Sequence, residues 1–198
     1  MFIRMNRYVL KLSPQEMRHA KASGHFHKFV EKLGENSFWK TQKIFSQNSI
    51  QRMRAAEFAA EAAILLIEGP QDKKTSIDVY YAQYRSSFPN AKHVSSQLLA
   101  YLKWIKAALP DLPKTRYRSP VDLYSLIGAL DTLSNEGRRL SSLKPAAAGQ
   151  RLIEFDKQTK AKDPKGDAAR YVVAASRQTD NLIPRTTRIE ILEKVLRA

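Results

Sequence analysis

The chain has 198 residues, with 34 lysines and arginines against 19 aspartates and glutamates, a net charge of +15, and no cysteine. Lacking cysteine, it has no disulfide framework, no thiolate zinc site and no thiol nucleophile, while its length suffices to bury roughly 70% of the unfolded surface in one core or two packed subdomains. No run reaches the roughly 18 apolar residues of a membrane span, and Arg4, Arg7 and Lys11 interrupt any signal-peptide core, so a cytoplasmic chain without a membrane partner is expected.

Phe2 to Leu12 reads as an extended, basic lead-in. Ser13-Pro14-Gln15-Glu16 then spells a capping box with proline at the first helical position, predicting a helix from Pro14 to about Ser23 that Gly24 stops. Phe26, Phe29, Val30 and Leu33 recur at helical spacing before Gly34, and a short helical piece follows around residues 38–45. The best-defined helix runs from about Ser49 to Glu68, with Met53, Ala56, Ala60, Ile64 and Ile67 on one stripe. Its small residues permit close approach, which marks it as the central core helix. Tyr80, Tyr81, Tyr84 and Phe88 form an aromatic face closed by Pro89, a spacing that suits core aromatics better than a base-stacking platform. Val94, Leu98, Tyr101, Leu102 and Ile105 mark the next helix, up to Pro110.

Residues 111–119 read as a basic loop and hinge between an N-terminal helical subdomain, 1–110, and a C-terminal one, 120–198. Ser119, Pro120 and Asp122 start a helix whose face is Leu123, Leu126, Ile127, Leu130 and Leu133. Pro145 opens an Ala-rich helix to about Lys162, broken by Asp163-Pro164-Lys165-Gly166. Ala168 to Arg177 and Arg185 to Leu196 finish the chain, the last with Ile189, Leu192, Val195 and Leu196 as its apolar face. Nearly every segment has the helical period, so the expected class is all-α, an irregular multi-helix bundle.

The charge is uneven. Residues 1–54 hold 11 basic and three acidic side chains and residues 69–118 hold nine and three, whereas residues 119–198 hold 14 and 10. The positive field therefore belongs mainly to the first 118 residues, and it points to DNA or another polyanion as partner. Arg116-Tyr117-Arg118, two bases flanking an aromatic beside the helix start at Ser119, form a phosphate-binding motif by charge and by unpaired N–H groups; the alternative is a solvated loop with Tyr117 tucked into the core. Catalytic machinery is not visible. The four histidines include no His-Glu-x-x-His, His25 and His27 lie two apart and so on different sides of a helix, and there is neither a Gly-x-Ser-x-Gly elbow nor a Walker loop. No catalytic residue, metal site or cofactor is expected.

The segments Phe2-Ile3-Arg4-Met5-Asn6-Arg7-Tyr8, Leu12 to Ala20, Gly24-His25-Phe26 and Ile50 to Phe58 resemble the helical C-terminal half of the GmrSD-type, ParB/sulfiredoxin-like family of prokaryotic restriction and phage-defence proteins. The resemblance is best from Phe2 to about Pro89. It implies a nucleotide-binding or nuclease-like domain marked by Asp-Gly-Gln-Gln-Arg, a sequence this chain does not contain, followed by an Arg-x-Asn segment and a helical bundle. It assigns phosphate or partner contact to Arg4, Asn6 and Arg18, with Arg7 beside them, against a structural role in which Asn6 holds the turn and Arg18 pairs near Glu16. It also matches a basic C-terminal cluster, Arg177, Arg185 and Arg188, against salt bridges to Glu190 and Glu193. The expectation is thus a non-catalytic basic module that binds DNA or docks a protein carrying the missing nucleotide-binding domain. The alternatives are a split or truncated part of a nucleotide-dependent nuclease, or a degenerate remnant.

Overall fold

The computed structural model describes residues 12–21, 23–137 and 140–198, and among them there are eleven α-helices, three short 3-10 turns and no strand. The protein is all-α. No helix of the described residues is long and apolar enough to cross a membrane. The lead-in that contains Arg4, Asn6 and Arg7 lies outside the described residues.

The first helix, α1 (Pro14–Lys21), starts on the expected capping box: Ser13 N–H donates to Glu16 Oε2 at 2.6 Å and Glu16 N–H donates to Ser13 Oγ at 3.2 Å. These bonds hold the Glu16 carboxyl below its ordinary range. Helix α2 (His25–Gly34) buries Phe26, Val30 and Leu33, and its first N–H groups, from His25 and Phe26, donate to the carbonyls of Arg85 and Tyr84. Gly24 has φ 147° there, and a Cβ on it would lie 2.6 Å from Arg85 O, so only glycine fits this crossing.

The long helix expected from Ser49 is two helices. The short α3 (Phe38–Thr41) is followed by α4 (Gln47–Gln51) and α5 (Arg54–Glu68), and Met53 between the last two is left-handed at φ 57°. Nothing in the local sequence signals that break. Helix α5 is central, as its alanines suggest: Ala55, Ala56, Ala59, Ala60, Ala62 and Ala63 are all buried. It packs against α1, α2 and α4, against α6 (Thr75–Gln83) and α7 (Ala91–Ala108), and against α8 (Pro120–Asn135). Tyr80 and Tyr81 are core residues, stacked around Phe26.

Helix α8 is enclosed from Asp122 to Asp131. Its main cover is α11 (Leu182–Arg197), beside α9 (Pro145–Thr159) and α10 (Gly166–Ser176). Glycine makes two of these crossings possible, since a Cβ on Gly128 of α8 would lie 2.6 Å from Ile189 Cδ1 and one on Gly149 of α9 would lie 1.9 Å from Ala108 O. One hydrophobic core runs from Phe26 to Leu196.

Asp131 is a buried carboxylate that receives hydrogen bonds from Gln97 Nε2 (2.7 Å), Tyr101 OH (3.1 Å) and Asn135 Nδ2 (3.1 Å). Burial pushes its carboxyl up, against the lowering effect of these donors. The native state therefore keeps the Asp131 proton to higher pH than the unfolded chain, so its contribution to stability is complete below the unfolded value and is lost as pH rises through the native one. The expected result for Asp131→Asn is a stability that improves relative to the parent as pH rises through and above the ordinary carboxylate range. Urea midpoints of both proteins across that range measure it, and a constant difference would contradict the assignment.

Candidate functional site

The arginines of the sequence motifs divide into two populations, and the division decides where an anion can bind. Arg188, 1% exposed, donates Nε to Ser125 Oγ (2.9 Å), Nη1 to Ala174 O (2.5 Å) and Nη2 to Thr179 O (2.8 Å). Arg185 donates to Tyr124 OH at 3.0 Å and to Glu61, and its guanidinium stacks 4.4 Å from the Tyr124 ring centroid. Both belong to the interior, where they join α11 to α8, α10 and α5. Their partners are not Glu190 and Glu193; it is Arg197 that pairs with Glu193. Arg177, the third of that cluster, is exposed just past α10 and is not brought together with the other two.

Arg116 and Tyr117 turn inward as well. Arg116 pairs with Asp122 at 3.3 Å and stacks 4.5 Å over Tyr171, whose OH donates to the same Asp122 oxygen at 2.9 Å. Burial pushes the Asp122 carboxyl up, and Arg116 and Tyr171 oppose it. Tyr117 is fully buried and donates its OH to Leu152 O at 3.0 Å. Arg18 is spent on a two-pronged bond to Asp78, with Nε to Oδ1 at 2.7 Å and Nη2 to Oδ2 at 3.1 Å, which joins α1 to α6. Arg18, Arg116, Tyr117, Arg185 and Arg188 thus each have a protein partner in the fold, although the buried Arg116 Nε has no acceptor among the described residues. A cleft of about 310 Å³ between α5, α8 and α11 is lined by Arg54, Glu61, Lys74 and Arg185. Its cations are paired too, Arg54 and Lys74 with Glu57, and Lys74 and Arg185 with Glu61.

Arg118 differs. It lies on the 3-10 turn Arg116–Arg118, which the buried Tyr117 pins so that Arg118 faces solvent. It lines a groove of about 680 Å³ with Lys40, Lys43, Ser46, Ser119 and Pro120. Lys40 lies in α3 and Lys43 in the turn after it, which is held by three backbone bonds: Lys43 N–H to Lys40 O, and the N–H groups of Ile44 and Phe45 to Trp39 O. Phe45 also packs on Trp39 and Phe58, so this turn is anchored in the core. Lys40, Lys43 and Arg118 are exposed and have no ion-pair partner among the described residues.

The start of α8 completes the groove wall. Ser119 takes the N-cap position without a side-chain hydrogen bond, and Asp122 is the acidic residue of the first turn. The groove thus gathers three exposed cations without ion-pair partners among the described residues beside the start of α8. Of the described sequence-derived residues only Arg118 is part of it. Lys40 and Lys43 carried no signal beyond the charge excess of their segment, since their convergence on Arg118 is a tertiary fact.

Other cations in the first 118 residues, Lys28 and Lys32 on α2 and Lys92, Lys103 and Lys106 on α7, are also exposed without ion-pair partners among the described residues. In the last three helices the pattern reverses, with Lys157, Lys160, Arg170, Lys194 and Arg197 each in an ion pair. The chain matches no family model, no curated protein and no solved structure.

Proposed function

We propose that the protein is a non-catalytic, basic helical module that binds the phosphate backbone of DNA through the groove of Lys40, Lys43 and Arg118. The observation that carries this reading is the convergence of three cations without ion-pair partners among the described residues, from segments more than 70 residues apart in sequence, on one groove beside the start of α8. The resemblance to the GmrSD-type defence family supplies a setting, a helical module acting beside a nucleotide-binding or nuclease partner. Backbone contact of this kind is salt-sensitive and weakly sequence-selective, because phosphate groups position a protein without reporting base identity.

Counterion release sets the expected size of the effect. Each phosphate neutralised adds roughly 0.9 to the slope of log affinity against log salt on duplex DNA. Replacing Lys40, Lys43 and Arg118 together with Gln should lower that slope by about 2 to 3, with an unchanged circular dichroism spectrum, since none of the three is buried. Replacing Lys157 and Lys160, whose charges are already paired, should leave it within error. Fluorescence anisotropy on a labelled duplex over a salt series measures both. Absence of binding at low salt, or equal behaviour of the two variants, would overturn the DNA reading in favour of docking to a protein partner.

A further inference from the structure

We propose that His19, His27 and Glu31 form a binding site for one divalent transition-metal ion of the zinc class, which clips α1 to α2. The sequence spacing compared His25 with His27 and found no common side. The structure assembles a different set. His27 and Glu31 are four residues apart on α2 and so share a face, and α1 brings His19 across to them. Glu31 Oε1 lies 2.7 Å from His19 Nδ1 and Glu31 Oε2 lies 3.1 Å from His27 Nε2, and the ligand atoms of the three residues all lie within 4.8 Å of one another.

Two imidazole nitrogens and a carboxylate are a donor set suited to zinc, which takes such ligands at about 2.0 to 2.2 Å. Ligands at that radius around a tetrahedral centre are about 3.3 Å apart, a separation these side chains reach by small rotamer changes. The surroundings point the same way. Residues 1–54 contain only three carboxylates, Glu16, Glu31 and Glu35, and all three line one groove of about 550 Å³ together with His19. Of these, Glu16 is already paired with Arg52, and Glu31 is the carboxylate that both histidines face. Three protein ligands leave one position for water, on the side of the groove that His19 and Glu31 line.

The local structure also sets the strength. His27 Nδ1 is buried without a hydrogen-bond partner, whereas ligating histidines usually pass their second N–H to one. The site is therefore weaker than a structural zinc centre whose ligands all have such partners.

The test is a titration of the full chain, purified without a histidine tag, with Co²⁺ followed by visible absorption, and with Zn²⁺ followed by thermal melting. One Co²⁺ per chain should develop the intense absorption of a low-coordinate nitrogen and oxygen site, Zn²⁺ should displace it, and Zn²⁺ should raise the melting temperature. His19→Ala, at a half-exposed position, should abolish all three effects while the metal-free melting curve stays near the parent's. Glu31→Gln should weaken binding at least about tenfold. His25→Ala, exposed and two residues from His27, should change nothing. A spectrum that stays that of aqueous Co²⁺, or an equal loss in His25→Ala, would overturn the proposal.

Discussion

Replacing Arg188 with methionine is expected to remove about 4 kcal/mol of stability. The guanidinium fills a closed space with three oxygens, Ser125 Oγ on α8, Ala174 O in the last turn of α10 and Thr179 O in the connection to α11. Hydrogen bonds from a charged donor contribute about 1.5 to 3 kcal/mol each. Burial itself disfavours the cation and pulls the Arg188 guanidinium below its ordinary value, so the three bonds do not simply add. Methionine restores the volume but leaves the Ser125 hydroxyl and the Ala174 carbonyl without that donor. Arg188→Lys should recover part of the loss, because one ammonium on a shorter stem cannot span three acceptors. Urea unfolding at constant slope orders the three proteins: parent, then lysine, then methionine. A methionine variant within about 1 kcal/mol of the parent would contradict the assignment of Arg188 as an interior clamp.

Gly149→Ala should cost about 2 to 4 kcal/mol although alanine is the better helix former by about 1 kcal/mol. The alanine Cβ would lie 1.9 Å from Ala108 O and 2.8 Å from Ala108 C, both backbone atoms that no rotamer change can move aside. Helix α9 must separate from the C-terminal end of α7, opening the packing of Leu152 and Ile105 on either side. Ala147→Val, on the exposed side of the same helix, should lose well under 1 kcal/mol. For a chain of this size the Gly149 variant should melt about 5 to 15 °C lower, and a melting temperature at or above the parent's would show that the two helices are not in close contact.

Local chemistry was legible and long-range chemistry was not. The Ser13–Glu16 capping box lies within three residues, and the apolar stripes of α2, α7 and α8 follow from spacing alone, so the all-α class could be read directly. The break at Met53 could not, because a left-handed methionine opposes its own preference and is held by the packing of α4 on α5. Arginines show the limit most clearly. Arg118 and Arg188 are identical letters in basic segments, yet one faces solvent and the other is enclosed. The partners that decide this for Arg185 and Arg188 lie between 9 and 124 residues away. The metal-site geometry was hidden for the same reason, since His19 meets Glu31 only once α1 has docked on α2.

The enclosure of α8 has a consequence for the chain while it is being made. From Asp122 to Asp131 every side of α8 is covered, and its principal cover, α11, begins 60 residues after α8 starts to be needed. Until α11 has left the ribosome, Leu123, Leu126, Ile127 and Leu130 have one flank in water, and Glu61 and Ser125 lack the arginines that will bind them. Translation at about 5 to 20 residues per second makes this an interval of several seconds. A chain stalled before residue 182 would leave that apolar flank uncovered, so α8 gains its full cover only once α11 is made.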